Sequence, residues 1–155
     1  MSETESPRGA GVTLMLADAA QVQGGKLFIL GGGWNITNAL SPSAIALIFE
    51  IPWSETNRRH GFALQLVDAD GHGVAIGSDR SRPFEFRSEF EIGRPPGSTP
   101  GVSFNVPFAL NLAPLGLADG RYEWRCTLNG ESRVEWRLSF EVRGSLGAPA
   151  PQSDE

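Results

Sequence analysis

Between Val102 and Leu112 every second residue is large and apolar: Val102, Phe104, Val106, Phe108, Leu110 and Leu112 alternate with Ser103, Asn105, Pro107, Ala109 and Asn111. Successive side chains of an extended chain point to opposite faces, so this pattern describes a strand with one face on a core. It recurs at Ile45–Ile51, at Phe62–Val67, and from Phe84 through Phe86 and Phe90 to Ile92. Shorter strands are expected near Val12–Leu16, Lys26–Leu30, Trp34–Thr37 and Val74–Gly77. No stretch keeps a helical period over the ten or so residues that a helix requires. The 19 Gly and 11 Pro fall between the apolar runs, where turns belong. The expected fold is all-β, a two-sheet antiparallel β-sandwich of immunoglobulin or fibronectin-III-like type, with about nine strands. Pro107 has no N–H to give a ladder, so its strand belongs at an edge or is bulged there.

With 155 residues, 40% hydrophobic and 20% charged, the chain has room for one domain and a core of its own. Residues 1–11 and 144–155 are rich in Gly, Ser, Pro and acids and are expected to be disordered tails around a domain at 12–143. The net charge of −5 disfavours nucleic acid and anionic membrane as partners. Cys126 is the only cysteine, which rules out an intrachain disulfide and suits a reducing compartment. Val12–Leu16 is too short for a signal core and is preceded by acids, and no apolar run nears the ~20 residues of a membrane span. A cytoplasmic location is expected.

Near the C-terminus, Tyr122, Trp124, Cys126 and Leu128 form one apolar set and Val134, Trp136, Leu138, Phe140 and Val142 another. In a hairpin, opposed residues share a face. A two-residue Asn129-Gly130 turn would set Trp124 against Glu135, so parity predicts an odd loop of three or five residues. The favoured register opposes Glu123 to Arg137 and Arg125 to Glu135, two surface ion pairs worth ~0.2–1 kcal/mol each; the other faces Glu123 to Glu135. Trp124 and Trp136 are expected in the core. Upstream, Leu117–Tyr122 has the form of a tyrosine corner, in which a Tyr hydroxyl bonds back to the backbone and locks a crossing between sheets.

Few residues suggest chemistry. Asp18 shares the parity of Val12, Leu14 and Leu16 and is expected to point inward, capping backbone N–H groups at Ala19–Gln21. Asp68–Gly73 opens like a calcium loop, but His72 replaces an oxygen ligand and no Glu follows, so a hairpin turn is the better reading. His60 and His72 flank a strand that holds them over ~20 Å apart, too far to share one zinc ion. Gly31-Gly32-Gly33 lacks the strand–helix context of a phosphate cradle and reads as a bend. No nucleophile elbow, Walker loop or HExxH occurs, and neither a metal nor a cofactor is expected.

The stretches Leu16–Gln21 (LADAAQ), Gly24–Lys26 (GGK), Leu30–Trp34 (LGGGW), Ile51–His60 (IPWSETNRRH), Gly93–Gly97 (GRPPG) and Gly120–Arg125 (GRYEWR) together resemble a family of uncharacterised small bacterial proteins. The resemblance implies a compact β domain and supplies no activity, cofactor or site. The leading functional expectation is a non-enzymatic binding module whose partner is another protein or a second copy. Its candidate surface is Trp53, Asn57, Arg58, Arg59 and His60, with Arg94 and also Arg80 and Arg82 as arginines that other loops bring near. Trp and Arg dominate many interfaces. The alternative is an enzyme or small-ligand binder with Asp18, Trp34 and Asn111 in a pocket at the sandwich end.

Overall fold

In the computed structural model, which describes residues 9–144, nine strands form two sheets. The strands are β1 (Gly11–Gln23), β2 (Lys26–Gly32), β3 (Ile36–Thr37), β4 (Ser43–Ile51), β5 (Arg59–Asp68), β6 (Glu85–Glu91), β7 (Phe104–Leu112), β8 (Gly120–Leu128) and β9 (Glu131–Val142). A 3-10 turn, Trp53–Glu55, lies between β4 and β5. The four-stranded sheet runs β2-β1-β4-β7 and the five-stranded sheet β3-β9-β8-β5-β6. All pairings are antiparallel except the two-residue β3–β9 contact, which is parallel. Of the predicted tails, 1–11 and 144–155, residues 1–8 and 145–155 lie outside the described residues, and Gly11 belongs to β1. Ala10 already packs on the core.

Burial follows the alternation in the sequence. Ile45, Leu47, Phe49 and Ile51 of β4 meet Phe62, Leu64 and Leu66 of β5 and Trp124, Cys126 and Leu128 of β8. Phe62 joins the sheets, its ring centroid 4.6 Å from Phe49 and 5.0 Å, edge-on, from Phe108. Trp124 and Trp136 are fully buried. Pro107 stands on β7, an edge strand, where its missing N–H costs no ladder bond. The Tyr122 hydroxyl donates to the Ala118 carbonyl at 2.7 Å, the bond that a tyrosine corner makes. Desolvation, with Asp68 and Asp119 nearby, raises the Tyr122 pKa and keeps the phenol a donor.

Two expectations about strands are corrected. Val74–Gly77 is not a strand: Gly73 makes an isolated bridge to Val67, and Val74 N–H bonds the Leu66 carbonyl before the chain leaves the sheet. The β8–β9 hairpin does not use an odd loop. Asn129 and Gly130, at φ 53° and 81°, form a two-residue turn with Leu128 opposite Glu131. Both residues are left-handed, as a type I′ turn requires. Parity is restored further along by a register shift: Thr127 pairs with Ser132, but Arg125 pairs with Arg137. Four β9 residues there span the place of Cys126 alone. Trp124 then lies opposite Leu138, and Val134 is pushed into solvent. The ion pairs Glu123–Arg137 and Arg125–Glu135 do not form. Arg125 instead bonds Glu123 on its own strand at 2.7 Å, and Glu123 also accepts from Ser139.

Candidate functional site

The stretch from Trp53 to His60 closes one end of the sandwich, between β4 and β5. The 3-10 turn presents the Trp53 carbonyl to the Thr56 hydroxyl at 2.8 Å and to the Arg94 guanidinium at 2.7 Å. Arg94 Nε also donates to Thr56 Oγ1, and the guanidinium carbon sits 3.9 Å above the Trp53 ring. That ring also stacks on Phe104. Arg94 is thus held by two hydrogen bonds and a cation–π contact, and Trp53 is half-buried between an arginine and a phenylalanine. Asn57 takes the left-handed conformation, φ 63°, and bonds the Ile92 carbonyl through its N–H. Arg58 and Arg59 remain exposed, with ion pairs to Glu55 at 3.8 Å and Glu89 at 3.5 Å. Pairs so exposed contribute little, ~0–1 kcal/mol.

His60 is fully buried. Its Nε2 lies 2.8 Å from the Glu55 carbonyl, which can only accept, so that nitrogen carries the proton. Nδ1 then accepts from Asn129 Nδ2 at 2.9 Å, and the ring stacks on Phe90. The Asn129 carboxamide oxygen in turn accepts the Gly61 N–H at 3.0 Å. His60 thereby ties the β8–β9 turn to the start of β5, and both of its nitrogens are engaged in holding the structure. Of the arginines expected nearby, only Arg94 converges. Arg80 bonds the carbonyls of Ala75 and Gly116.

Of the second predicted set, Asp18 and Trp34 meet, while Asn111 is engaged elsewhere. Asp18 is exposed, which corrects its expected inward orientation. Its carboxylate accepts the Trp34 indole N–H at 3.0 Å and does not cap Ala19–Gln21. The carboxylate lies over Gly31, where a Cβ would collide with it, and Gly31 has φ 62°. Only glycine fits there. Asn111 has a different task. Its side-chain amide imitates a strand peptide, accepting the Ala20 N–H at 3.1 Å and donating to the Ala20 carbonyl at 2.7 Å. β1 is paired with β4 only as far as Ala17, and Asn111 holds its continuation to β7. Alongside, Ala20, Ala44 and Ala46 form a small second core against Leu27 and Ala109.

Asp68 Oδ1 accepts the N–H groups of Asp70 and His72 at 2.9 and 3.0 Å, chiefly the latter holding the carboxyl below its usual pKa. Potential ligand atoms of Asp68, Asp70 and His72 lie within 4.8 Å of one another, and this exposed cluster is organised as an Asx turn.

The feature that the predicted sites did not include is the β1–β2 ribbon. Of the nine large apolar residues exposed among the described residues, five lie on it: Met15, Val22, Phe28 (53% exposed), Ile29 and Leu30 (71%). Ala19, Ala20, Gln21, Phe28, Ile29 and Leu30 line an open, largely apolar cleft of about 340 Å³. Met15, Ile29 and Ala17 converge on Gly32, which offers no side chain. The sequence signal was the unbroken run Leu27–Leu30, four apolar residues without alternation. Such a run normally marks a strand buried on both faces. Here it is an edge strand.

Among the described residues no helix is long and apolar enough to cross a membrane. Comparison with curated proteins finds no match. The model of a family of unknown function, DUF6941, matches residues 12–143, the whole of the sandwich but for its first residues, and the chain belongs to that family.

Proposed function

We propose that this domain is a protein-interaction module without catalytic activity of its own, and that it docks through the β1–β2 ribbon. The observation that carries the reading is the concentration of exposed Met15, Val22, Phe28, Ile29 and Leu30 on one ribbon. Exposed apolar surface costs solubility, and contiguous patches of it mark contact sites. The groups first suspected of chemistry are engaged in holding the fold: both His60 nitrogens, the Asn111 amide and the Arg94 guanidinium all have internal partners. The Trp53 loop, with its exposed Arg58 and Arg59, is a secondary face of the same module. The acidic net charge favours protein over nucleic acid, and the single buried thiol suits the cytoplasm. The tyrosine-corner bond supports an immunoglobulin-like sandwich, an architecture that, by analogy alone, often serves recognition.

The test is capture from native extract with tagged wild type and with a Phe28→Lys/Leu30→Lys double variant. The expected result is a protein, another chain or an untagged copy, held by wild type and lost from the variant. Identical recovery with both would overturn the reading.

A further inference from the structure

The two sheets have four edges, and three are guarded against further pairing. β7 carries Pro107, which removes a ladder donor. β6 alternates Glu85, Arg87, Glu89 and Glu91 along its exposed positions. β3 is two residues long. Short strands, charges and proline are the devices by which sheets refuse an additional strand. β2 has seven residues, a single charge at its end (Lys26), no proline, and Leu27-Phe28-Ile29-Leu30 at its centre. It is hydrogen-bonded to β1 alone, so the backbone groups of its far side face no strand.

We propose that the occupant of this edge is the β2 strand of a second copy of the chain, paired antiparallel about a two-fold axis at Ile29. This rests on the reading of the ribbon as a docking surface and names its partner. A two-fold at the midpoint of Lys26–Gly32 pairs the greatest length of strand. It sets Phe28 of each copy against Leu30 of the other on one face, and Lys26 against Gly32, so like charges are not opposed. Charge allows self-pairing here more readily than elsewhere. The chain carries −5, but Gly11–Gly32 contains only Asp18 and Lys26 and is neutral. The exposed apolar residues at the pairing edge are Phe28, Ile29 and Leu30 of β2 itself, with Met15 and Val22 on the neighbouring β1. Joined in this way, the two four-stranded sheets become one of eight strands, and both unguarded edges disappear.

The experiment is sedimentation velocity on the full chain, with cysteine cross-linking to report the register. Wild type is expected to dimerise, and Leu30→Lys to weaken self-association by at least about tenfold while circular dichroism and melting stay near wild type. In Ile29→Cys, the two-fold brings the new thiols within disulfide range, so mild oxidation gives a covalent dimer. Val134→Cys, exposed on β9, is the control and stays monomeric on the gel. Cys126 does not interfere, because burial pushes its pKa up to about 12 and keeps it an unreactive thiol. Wild type that remains monomeric at ~100 µM would overturn the proposal. So would a dimer that is indifferent to Leu30→Lys and that Ile29→Cys fails to cross-link. If such a monomer still captured a different chain in a Phe28- and Leu30-dependent manner, self-pairing would fall and the interaction reading would stand. If that capture too were indifferent, both would fall.

Discussion

The molecule contains two hairpins closed by the same kind of turn. Gly24 and Gly25 of β1–β2 have φ 58° and 74°, and Asn129 and Gly130 of β8–β9 have 53° and 81°. Both are two-residue connections with left-handed central residues, whose twist matches that of the flanking strands. Their fates are opposite. β8 lies between β9 and β5, and the hairpin buries Trp124, Cys126, Leu128, Trp136, Phe140 and Val142. β2 has one neighbour, and the ribbon holds Phe28 and Leu30 in water. Turn chemistry makes a hairpin. Whether its apolar residues become core or contact surface depends on the layer it lies against.

Substitutions in the two hairpins sharpen that contrast. The largest effect is expected from Trp124→Ala, which empties the centre of the core and should cost about 3–5 kcal/mol in urea unfolding. Near-normal melting of that variant would break the account of β8–β9. His60→Ala should cost roughly 2–4 kcal/mol, since it opens a cavity and strands the Asn129 amide and the Glu55 carbonyl. A loss close to zero would mean that the turn needs no tie to β5.

Raised pH tests the β8 interior in another way. Cys126 has its pKa raised from 9.0 to about 12 by burial, so the folded state keeps a proton that the unfolded thiol releases above pH 9. Stability from this group is complete below pH 9 and falls by up to ~1.4 kcal/mol per pH unit between 9 and 12. Cys126→Ala should lack that component when the two proteins are unfolded side by side. Equal slopes would show that the thiol is hydrated.

Asn111→Ala addresses the ribbon. It removes both bonds to Ala20, with an expected cost of about 1–2 kcal/mol, and faster hydrogen exchange confined to the far half of β1 and to β2. Protection unchanged at Ala20 would mean that the ribbon is held by other contacts. The smallest effect is expected at Phe28→Ser, which should change stability by less than about 0.5 kcal/mol because the side chain is already half in water. A loss comparable to that of Trp124→Ala would erase the distinction between the hairpins.

Strand character, the edge position of Pro107, the burial of Trp124 and Trp136 and the tyrosine corner were all legible in the residues. They rest on local rules: side-chain alternation, a missing donor, and a hydroxyl reaching four residues back. The β8–β9 register was not. Parity along each strand argued against a tight turn, and Asn129-Gly130 argued for one. The fold satisfies both by shifting register around Cys126, a solution that depends on Trp124 and Leu138 meeting the same core. Asp18 shows the limit of parity from the other side. Alternation with Leu16 points it inward, but Trp34, sixteen residues away, offers an indole N–H at the surface.

By itself, then, the sequence determined that this chain builds strands, where several of them turn, and which residues seek a core. Only the tertiary structure decided that His60 is buried between Glu55 and Asn129, that Asn111 serves as a surrogate peptide for Ala20, and that Leu27–Leu30 lies on an open edge. The physical reason is one of range. Backbone preference and alternation act over a few residues, whereas burial depends on which strand arrives alongside, and that strand is supplied by distant parts of the chain.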